Sequence, residues 1–310
     1  RTLLHMFKKA IQFIINYGRK WLGFLLFIIC GIAIYREAIA NKNWEVFGFE
    51  MQQQLLQTAF IYWLILLLLM GLNFGVEALK WKLLIEKNNP ISFIKSLRSV
   101  FVGQAFAFFT PNRIGEYAGR TLFLETGNKA KGVAQMAWTS YAQLLVTIMV
   151  GTVALFWNAP FFPWLKWASP FIAIVAIIVF FYDRQWKGLL GVLNKLQIPT
   201  QSKITLLALS FLRYGVFTFQ YAWVAKMLGM EIPFWVLGSS IAVLFLFLSI
   251  LPTISITELV VRGQLLLLIV APWYPNELMI IVLSSLIWVV NFLIPAIIGA
   301  CLLLGFRLKQ

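Results

Sequence analysis

The sequence predicts an all-α polytopic membrane protein with about six full transmembrane helices and two re-entrant helical hairpins of opposite orientation. Three observations lead to this fold class. The 310 residues are 61% hydrophobic and only 12% charged, whereas about 25% charged is usual for soluble domains. Several apolar stretches approach the ~20 residues that a bilayer core requires. Lysine and arginine lie in short runs between these stretches, so we treat 1–310 as a single transmembrane domain.

Six apolar stretches are predicted to cross the membrane, because flanking Trp, Lys and Arg side chains can reach the interface even where a stretch is short. These are 21–35, 55–76, 132–157, 164–182, 204–225 and 278–304. We expect the first to remain as an anchor rather than to be removed as a signal peptide. The basic segment 183–203, with apolar residues interspersed, predicts an amphipathic helix at the interface.

Two further apolar stretches, 99–120 and 234–270, are interrupted at Pro111 and Pro252. Proline removes a backbone hydrogen bond and clashes with the preceding helical turn. Each stretch therefore predicts two half-helices joined at a break, the first at 109–113 and the second at 251–255.

The distribution of positive charge predicts the topology, because short cytoplasmic loops collect Lys and Arg. Five basic residues before position 21 place the N-terminus inside, and the acidic segment 36–54 lies outside. A full crossing by 99–120 would put Lys129 and Lys131 outside, so this stretch is predicted to be re-entrant. The same count makes 234–270 re-entrant from the opposite face, as in inverted repeats. We expect a multi-pass protein of the inner (plasma) membrane with both termini in the cytoplasm.

Each break is followed by a glutamate and an arginine four residues apart, Glu116 with Arg120 and Glu258 with Arg262. This spacing places both side chains on one helical face and predicts an ion pair at membrane depth. Such charges cost about 2.5–3.5 kcal/mol each on insertion scales and line a bundle interior or a wet cavity. Each pair either belongs to a binding site or neutralises itself and fixes its hairpin. Repetition in opposed hairpins favours the site.

The first break carries additional features of an anion site. Arg113 adds a cation beside the start of the second half-helix, where backbone N–H groups and the helix dipole also attract negative charge. This environment suits a lipid phosphate. Gly115 and Gly119 form a GxxxG spacing that allows another helix or a ligand to approach closely.

Arg213 stands near mid-depth in the stretch 204–225. It is predicted either to pair with Glu116 or Glu258 or to contact ligand directly. Glu77 and Lys80 are predicted to form a plain interfacial pair at a helix end. Interhelical hydrogen bonding is the expected role of the remaining polar residues in apolar stretches. These are Asn73, Gln104, Tyr141, Gln143, Gln220 and Asn291.

Several function classes are excluded. The net charge of +15 is spread between apolar segments rather than along one face, so we expect no nucleic-acid partner. His5 is the only histidine, and Cys30 and Cys301 lie in apolar stretches, which excludes a histidine base, a metal centre and a cysteine redox site. No P-loop motif is present, and no cofactor is expected.

Three segments carry a resemblance to a known family: EALKWKLL at 77–84, FVGQ at 101–104 and PNRIGE at 111–116. They resemble the transmembrane, flippase-like domain of lysylphosphatidylglycerol synthases, and the resemblance covers nearly the whole chain. The second break departs from that pattern, with Ser255 and Thr257 where the family usually has glycine. The resemblance implies transport of a phospholipid, in some relatives lysylphosphatidylglycerol, without the separate soluble synthase domain. It also implies a central site, lined by Arg113, Glu116, Arg120, Glu258 and Arg262.

The leading hypothesis is thus a lipid flippase or lipid transporter that holds an anionic or aminoacylated phospholipid headgroup between the hairpins. The partners are then phospholipid and membrane, and a homo-oligomer is compatible with the sequence. Two alternatives stay open. One is a membrane-embedded lipid-modifying enzyme in which Glu116 is the general base, and the other is a small-solute or ion-coupled transporter.

Overall fold

The computed structural model describes residues 44–86, 88–125, 129–158, 163–182 and 198–304, together with Ile28 and Ile32. The predicted first crossing, apart from these two residues, lies outside the described residues. So do most of the predicted interfacial helix and both chain ends.

The described residues form eleven α-helices, with no strand among them. The helices are α1 (Trp44–Gln57), α2 (Phe60–Ile85), α3 (Phe93–Phe108), α4 (Gly115–Thr121), α5 (Lys129–Asn158), α6 (Pro163–Phe181), α7 (Thr200–Met227), α8 (Phe234–Ile250), α9 (Ser255–Val270), α10 (Glu277–Trp288) and α11 (Ile294–Leu304). A 3₁₀ turn at Pro111–Arg113 joins α3 to α4, and a π-helical turn at Val289–Leu293 joins α10 to α11.

Three of the described helical segments are long and apolar enough to cross a membrane: Phe60–Ile85, Lys131–Trp157 and Glu277–Leu304. The segments Leu165–Phe181 and Phe234–Ile250 are apolar but shorter. Helix α7 is as long as α2 but is less apolar, because residues such as Arg213 and Gln220 interrupt it. The composition of these helices suggests a membrane protein.

The outward-facing surfaces of the helices are consistent with a membrane environment. Large apolar side chains stay exposed on several helices, which in water would be a liability. Examples from α2 and α6 are Phe60, Leu68, Phe171 and Ile178. The main buried core lies where α7 packs against α2 and where α5 packs against α8.

Glycine sets the closest approach in the bundle, at helix α3. A Cβ added at Gly119 of α4 would lie 2.6 Å from the Cα of Gly103, and one at Gly299 of α11 would lie 1.9 Å from the carbonyl oxygen of Phe101. Helix α3 is therefore held between α4 and α11 at backbone contact distance. The close approach predicted for the GxxxG spacing of Gly115 and Gly119 is confirmed, with α3 as the neighbouring helix.

Two features differ from the sequence analysis. The segment 36–54, expected to be an external loop, contains the start of α1. Helix α2 does not end near residue 76 but continues to Ile85, since the next strong helix breaker is Pro90. Glu77 and Lys80 form the predicted pair, but they lie inside a packed helix, 6% and 0% exposed, and not at its end.

Candidate functional site

The two proline breaks lie against each other. The backbone N–H of Asn112 in the first break donates a 2.9 Å hydrogen bond to the carbonyl oxygen of Thr253 in the second. Helices α3 and α4 flank one break, and α8 and α9 flank the other, as the interrupted apolar stretches predicted. Polar groups carried by both breaks therefore meet in one place.

The first break is a tight turn with unusual backbone geometry. Asn112 and Arg113 have φ values of 50° and 59°, the left-handed region that most residues avoid. The hydroxyl of Thr110 accepts a 2.8 Å hydrogen bond from the N–H of Gly115 and so satisfies the start of α4. This turn directs the Arg113 guanidinium back to α3, where it donates to the side-chain oxygen of Gln104.

The second break is extended rather than tightly turned. Leu251 has φ −78° and ψ 127°, and Ile254 has φ −99° and ψ 160°, both ordinary extended conformations. The hydroxyl of Thr257 accepts a 3.0 Å hydrogen bond from the N–H of Ile254. The indole N–H of Trp288 donates to the carbonyl oxygen of Ser255 at 2.8 Å, which fixes the start of α9 against α10.

Both predicted glutamate–arginine pairs form. Glu116 and Arg120 pair on α4, and Glu258 and Arg262 pair on α9. Three of these residues are buried, with Arg120 1%, Arg262 3% and Glu258 8% exposed. The four-residue spacing therefore acts as expected from helix geometry.

Glu77 links the first pair to the rest of the bundle. Its Oε1 lies 3.0 Å from Nη2 of Arg120, and its Oε2 lies 3.2 Å from both Nζ of Lys80 and Nη1 of Arg213. One buried carboxylate thus contacts three cations from three helices, α2, α4 and α7. This arrangement joins the first hairpin to α7, the helix that precedes the second hairpin.

Arg213 pairs with neither Glu116 nor Glu258, the partners predicted for it, but with Glu77. Its Nε also donates a 2.8 Å hydrogen bond to the Asn73 side chain, which in turn donates to Asn291 at 3.3 Å. The predicted carboxylate partners are therefore wrong, because Glu77 lies one turn along α2 from Asn73 and reaches Arg213 first, whereas direct contact of Arg213 with a ligand stays a prediction. One quarter of the Arg213 side chain remains exposed, towards a central cavity.

The other polar residues behave largely as interhelical ties. Besides Asn73 and Asn291, Gln104 accepts from Arg113, Gln143 accepts from Lys80 at 3.5 Å, and Tyr141 donates to the carbonyl oxygen of Ala176 at 2.9 Å. The Gln220 amide is fully buried and has no hydrogen-bond partner among the described residues. The interhelical hydrogen bond predicted for Gln220 is therefore not formed among the described residues.

The second pair has a different surrounding. Nη1 of Arg262 donates a 2.7 Å hydrogen bond to the hydroxyl of Tyr221 on α7. The guanidinium carbon of Arg262 also lies 5.0 Å from the ring centroid of Phe292 and 6.0 Å from that of Phe217. Aromatic faces stabilise a buried guanidinium by cation–π attraction.

Phe292 serves both breaks. The guanidinium carbon of Arg113 also lies 5.0 Å from its ring centroid, so the two arginines approach one aromatic ring from the two breaks. Phe292 belongs to the π-helical turn between α10 and α11, and such turns often occur at functional sites. The sequence analysis missed Phe292, Tyr221 and the role of Glu77, because nothing in their local spacing distinguishes them.

A cavity of about 460 Å³ opens between the two breaks and α7. Its charged lining residues are Arg113, Arg213, Glu258 and Arg262. Tyr214, Phe217, Phe292 and the segment 249–253 also line it. Glu116 and Arg120 are not in the lining but adjoin it through Arg113, since Nε of Arg113 lies 3.8 Å from a Glu116 carboxylate oxygen.

A larger cavity, of about 540 Å³, lies between α1 and the ends of α2 and α7. It is lined by amide side chains such as Gln53 and Gln57 and by one charged residue, Lys226. The smaller central cavity is the better candidate site because the predicted ionisable residues converge there. The described residues contain no group of three or more His, Cys, Asp or Glu side chains that could hold a metal ion.

No family model and no curated protein matches the sequence of this chain.

Proposed function

We propose that the protein is a lipid flippase or lipid transporter that binds an anionic or aminoacylated phospholipid headgroup in the central cavity and moves it across the inner membrane. The supporting observation is the convergence of the two breaks on one cavity, with three arginines in its wall. The resemblance to the flippase-like domain of lysylphosphatidylglycerol synthases agrees with this function.

The charges of the cavity favour a polar head over an apolar ligand. Arg113 and Arg213 are 32% and 25% exposed at their side chains, although both stand between packed helices. Keeping guanidinium groups at this depth costs free energy that a bound anion offsets. Arginine also presents a planar pair of donors that matches a phosphate group.

The rim of the cavity favours a ligand with acyl chains. Ile250, which lines the cavity, is 71% exposed, and Phe109 and Ile114 beside the first break are 77% and 63% exposed. A charged interior with an apolar rim suits a lipid whose head enters the cavity while its tails stay in the bilayer. A soluble solute would gain nothing from that rim.

The proposed topology has six full crossings, with 99–120 and 234–270 as re-entrant hairpins that enter from opposite faces. Access to the headgroup site then alternates as the hairpins or their neighbouring helices move. Transport is either passive or coupled to an ion or proton, with Glu116 or Glu258 as the proton carrier. In this topology Lys129 is cytoplasmic. A cysteine at position 129 should therefore not react with a reagent added outside the cell, and its labelling from outside would contradict the topology.

Reconstitution tests the transport function directly. We expect liposomes that contain the purified protein to move an acyl-labelled anionic phospholipid between leaflets faster than empty liposomes. Arg262→Gln should abolish most of this movement, whereas Arg98→Gln, at an exposed arginine on α3, should leave it unchanged. Equal rates in Arg262→Gln and wild-type protein would contradict the site.

The same liposomes separate the two alternatives. Mass spectrometry of the recovered lipid should find it chemically unchanged, whereas a modified lipid would indicate the enzyme. Uptake of soluble ions or solutes without lipid movement would indicate the solute transporter.

A further inference from the structure

We infer that the headgroup bound in the central cavity is a phosphate monoester with two negative charges, rather than a phosphodiester with one or an aminoacylated headgroup. This inference rests on the proposed function, since it specifies the ligand of the same cavity. It follows from the charges, the unused donors and the pairing of the carboxylates around the cavity.

The ion-pair network at the two breaks is unbalanced. Among the described residues it contains five cations and three carboxylates, and two positive charges are therefore in excess. The cations are Lys80, Arg113, Arg120, Arg213 and Arg262, and the carboxylates are Glu77, Glu116 and Glu258. Excess charge is costly where the surroundings are apolar. A dianion restores neutrality, whereas a monoanion leaves one charge uncompensated and a cationic headgroup adds to the excess.

Two of the arginines have donors to spare at the cavity. Arg113 uses Nη2 for Gln104 and Nε for Glu116, and Arg213 uses Nε and Nη1 for Asn73 and Glu77. The remaining terminal nitrogen of each has no acceptor among the described residues. A phosphate monoester offers three terminal oxygens to such donors, whereas a phosphodiester offers two.

Arg262, the third arginine of the cavity wall, contributes its positive charge rather than a free pair of terminal N–H donors. Arg262 is bound by Glu258 and Tyr221, but its charge lies 5.0 Å from the Phe292 ring that Arg113 also approaches. Two like charges at one ring repel each other more strongly in an apolar interior than in water. An anion between the two breaks relieves that repulsion.

An aminoacylated head would need a free carboxylate for its ammonium group. Glu258 is the only carboxylate that the described residues place in the cavity wall, and it is already paired with Arg262. Glu77 and Glu116 are outside the cavity lining and are paired with Arg120. Binding an ammonium group would therefore break an existing ion pair, whereas binding a dianion breaks none.

The experiment compares lipids that differ in one charge. The full chain is placed in nanodiscs of phosphatidylcholine at pH 7, where the phosphate monoester is mostly a dianion because its second pKa is about 6. Native mass spectrometry then measures binding of phosphatidic acid and of phosphatidylmethanol, in which one phosphate oxygen is methylated and one charge is lost. Phosphatidylglycerol and lysylphosphatidylglycerol are measured alongside.

We expect phosphatidic acid to bind on the order of tenfold more tightly than phosphatidylmethanol, a difference of about 1.4 kcal/mol. Arg213→Gln should reduce this preference several-fold, Arg213→Lys should keep most of it, and Arg98→Gln should not change it. Thermal unfolding of each variant identifies any loss that comes from misfolding. Equal binding of the two lipids, or tightest binding of lysylphosphatidylglycerol, would overturn the inference.

A soluble arm identifies the source of the phosphate. Glycerol 3-phosphate should compete far more weakly than phosphatidic acid, because it has no chains to place at the apolar rim. If glycerol 3-phosphate competed as well as phosphatidic acid, the conclusion that a lipid supplies the phosphate would be overturned. If the protein prefers phosphatidic acid but moves no lipid in liposomes, only the proposed transport function is contradicted. If it moves lipid without that preference, only the inference of a doubly charged headgroup is contradicted.

Discussion

Both breaks carry a proline followed by a glutamate and an arginine four residues apart, yet they differ in how these residues are connected. The first pair, Glu116 with Arg120, joins a network through Glu77 to Lys80 and Arg213. The second pair, on α9, contacts a tyrosine hydroxyl and two aromatic rings. The first break is thus anchored to two other helices by charge, and the second by neutral and aromatic groups.

This difference suggests a division of roles under the proposed mechanism. A pair held by several ion pairs resists movement, because each ion pair must be replaced when it moves. A guanidinium on aromatic faces can shift with less loss, since ring contacts depend less on direction than charge-assisted hydrogen bonds do. We therefore expect the second hairpin to move more than the first.

The largest expected effect comes from Glu77→Gln. Removing this carboxylate leaves three cations in contact with a neutral amide, and breaking a buried ion pair costs about 3–5 kcal/mol. The thermal unfolding temperature in nanodiscs should fall sharply. The matched change Glu258→Gln should lower it by less than half as much, because Arg262 keeps Tyr221 and its aromatic contacts. Equal losses would refute the proposed difference between the breaks.

A smaller effect is expected from the glycines of the two hairpins. In Gly119→Ala the new Cβ meets the Gly103 backbone at 2.6 Å, and forcing extra volume into such a contact costs about 1–3 kcal/mol. In Gly238→Ala, on α8, the Cβ meets nothing within 4 Å, and the change should be neutral or slightly stabilising. Unfolding by denaturant measures both. An undisturbed Gly119→Ala variant would show that α3 and α4 can separate without cost.

Phe292→Leu tests the ring that joins the two breaks. Leucine fills the space but has no aromatic face, and each cation–π contact contributes about 0.5–2 kcal/mol. We expect several-fold weaker binding of phosphatidic acid and a smaller loss of thermal stability than in Glu77→Gln. Phe292→Tyr keeps the ring and should bind nearly as well as wild type. If the Phe292→Leu and Phe292→Tyr variants bind phosphatidic acid equally, the aromatic ring does not position the arginines.

The smallest effect concerns the backbone of the first break. Asn112 has φ 50°, and asparagine tolerates this region better than most residues. Asn112→Ala should therefore destabilise the protein by about 1 kcal/mol, whereas Asn112→Gly should be close to neutral. Thr253→Ala in the second break is the control, because the backbone there does not adopt a positive φ. A stability loss on Thr253→Ala as large as that on Asn112→Ala would contradict the contrast in backbone geometry.

Local patterns alone determined a large part of this protein. Apolar length predicted most of the described helices but not α1, proline located both breaks, and the spacing of four residues predicted both glutamate–arginine pairs. Glycine at positions 115 and 119 predicted a close helix contact. Each of these depends on covalent geometry or helix periodicity, which act between residues close together in the chain.

Only the tertiary structure decided which groups meet across the bundle. Glu77 and Arg213 are 136 positions apart, and Arg113 and Phe292 are 179 apart. Their contacts depend on the packing of α2, α7 and the π-helical turn, which no local spacing specifies. Helix α2 also continues past the predicted limit of its span, and this extension places Glu77 inside a packed helix at the centre of the charge network rather than at a helix end. A carboxylate at that position has no low-energy state without its cations, so the packing that brings them together assigns its role.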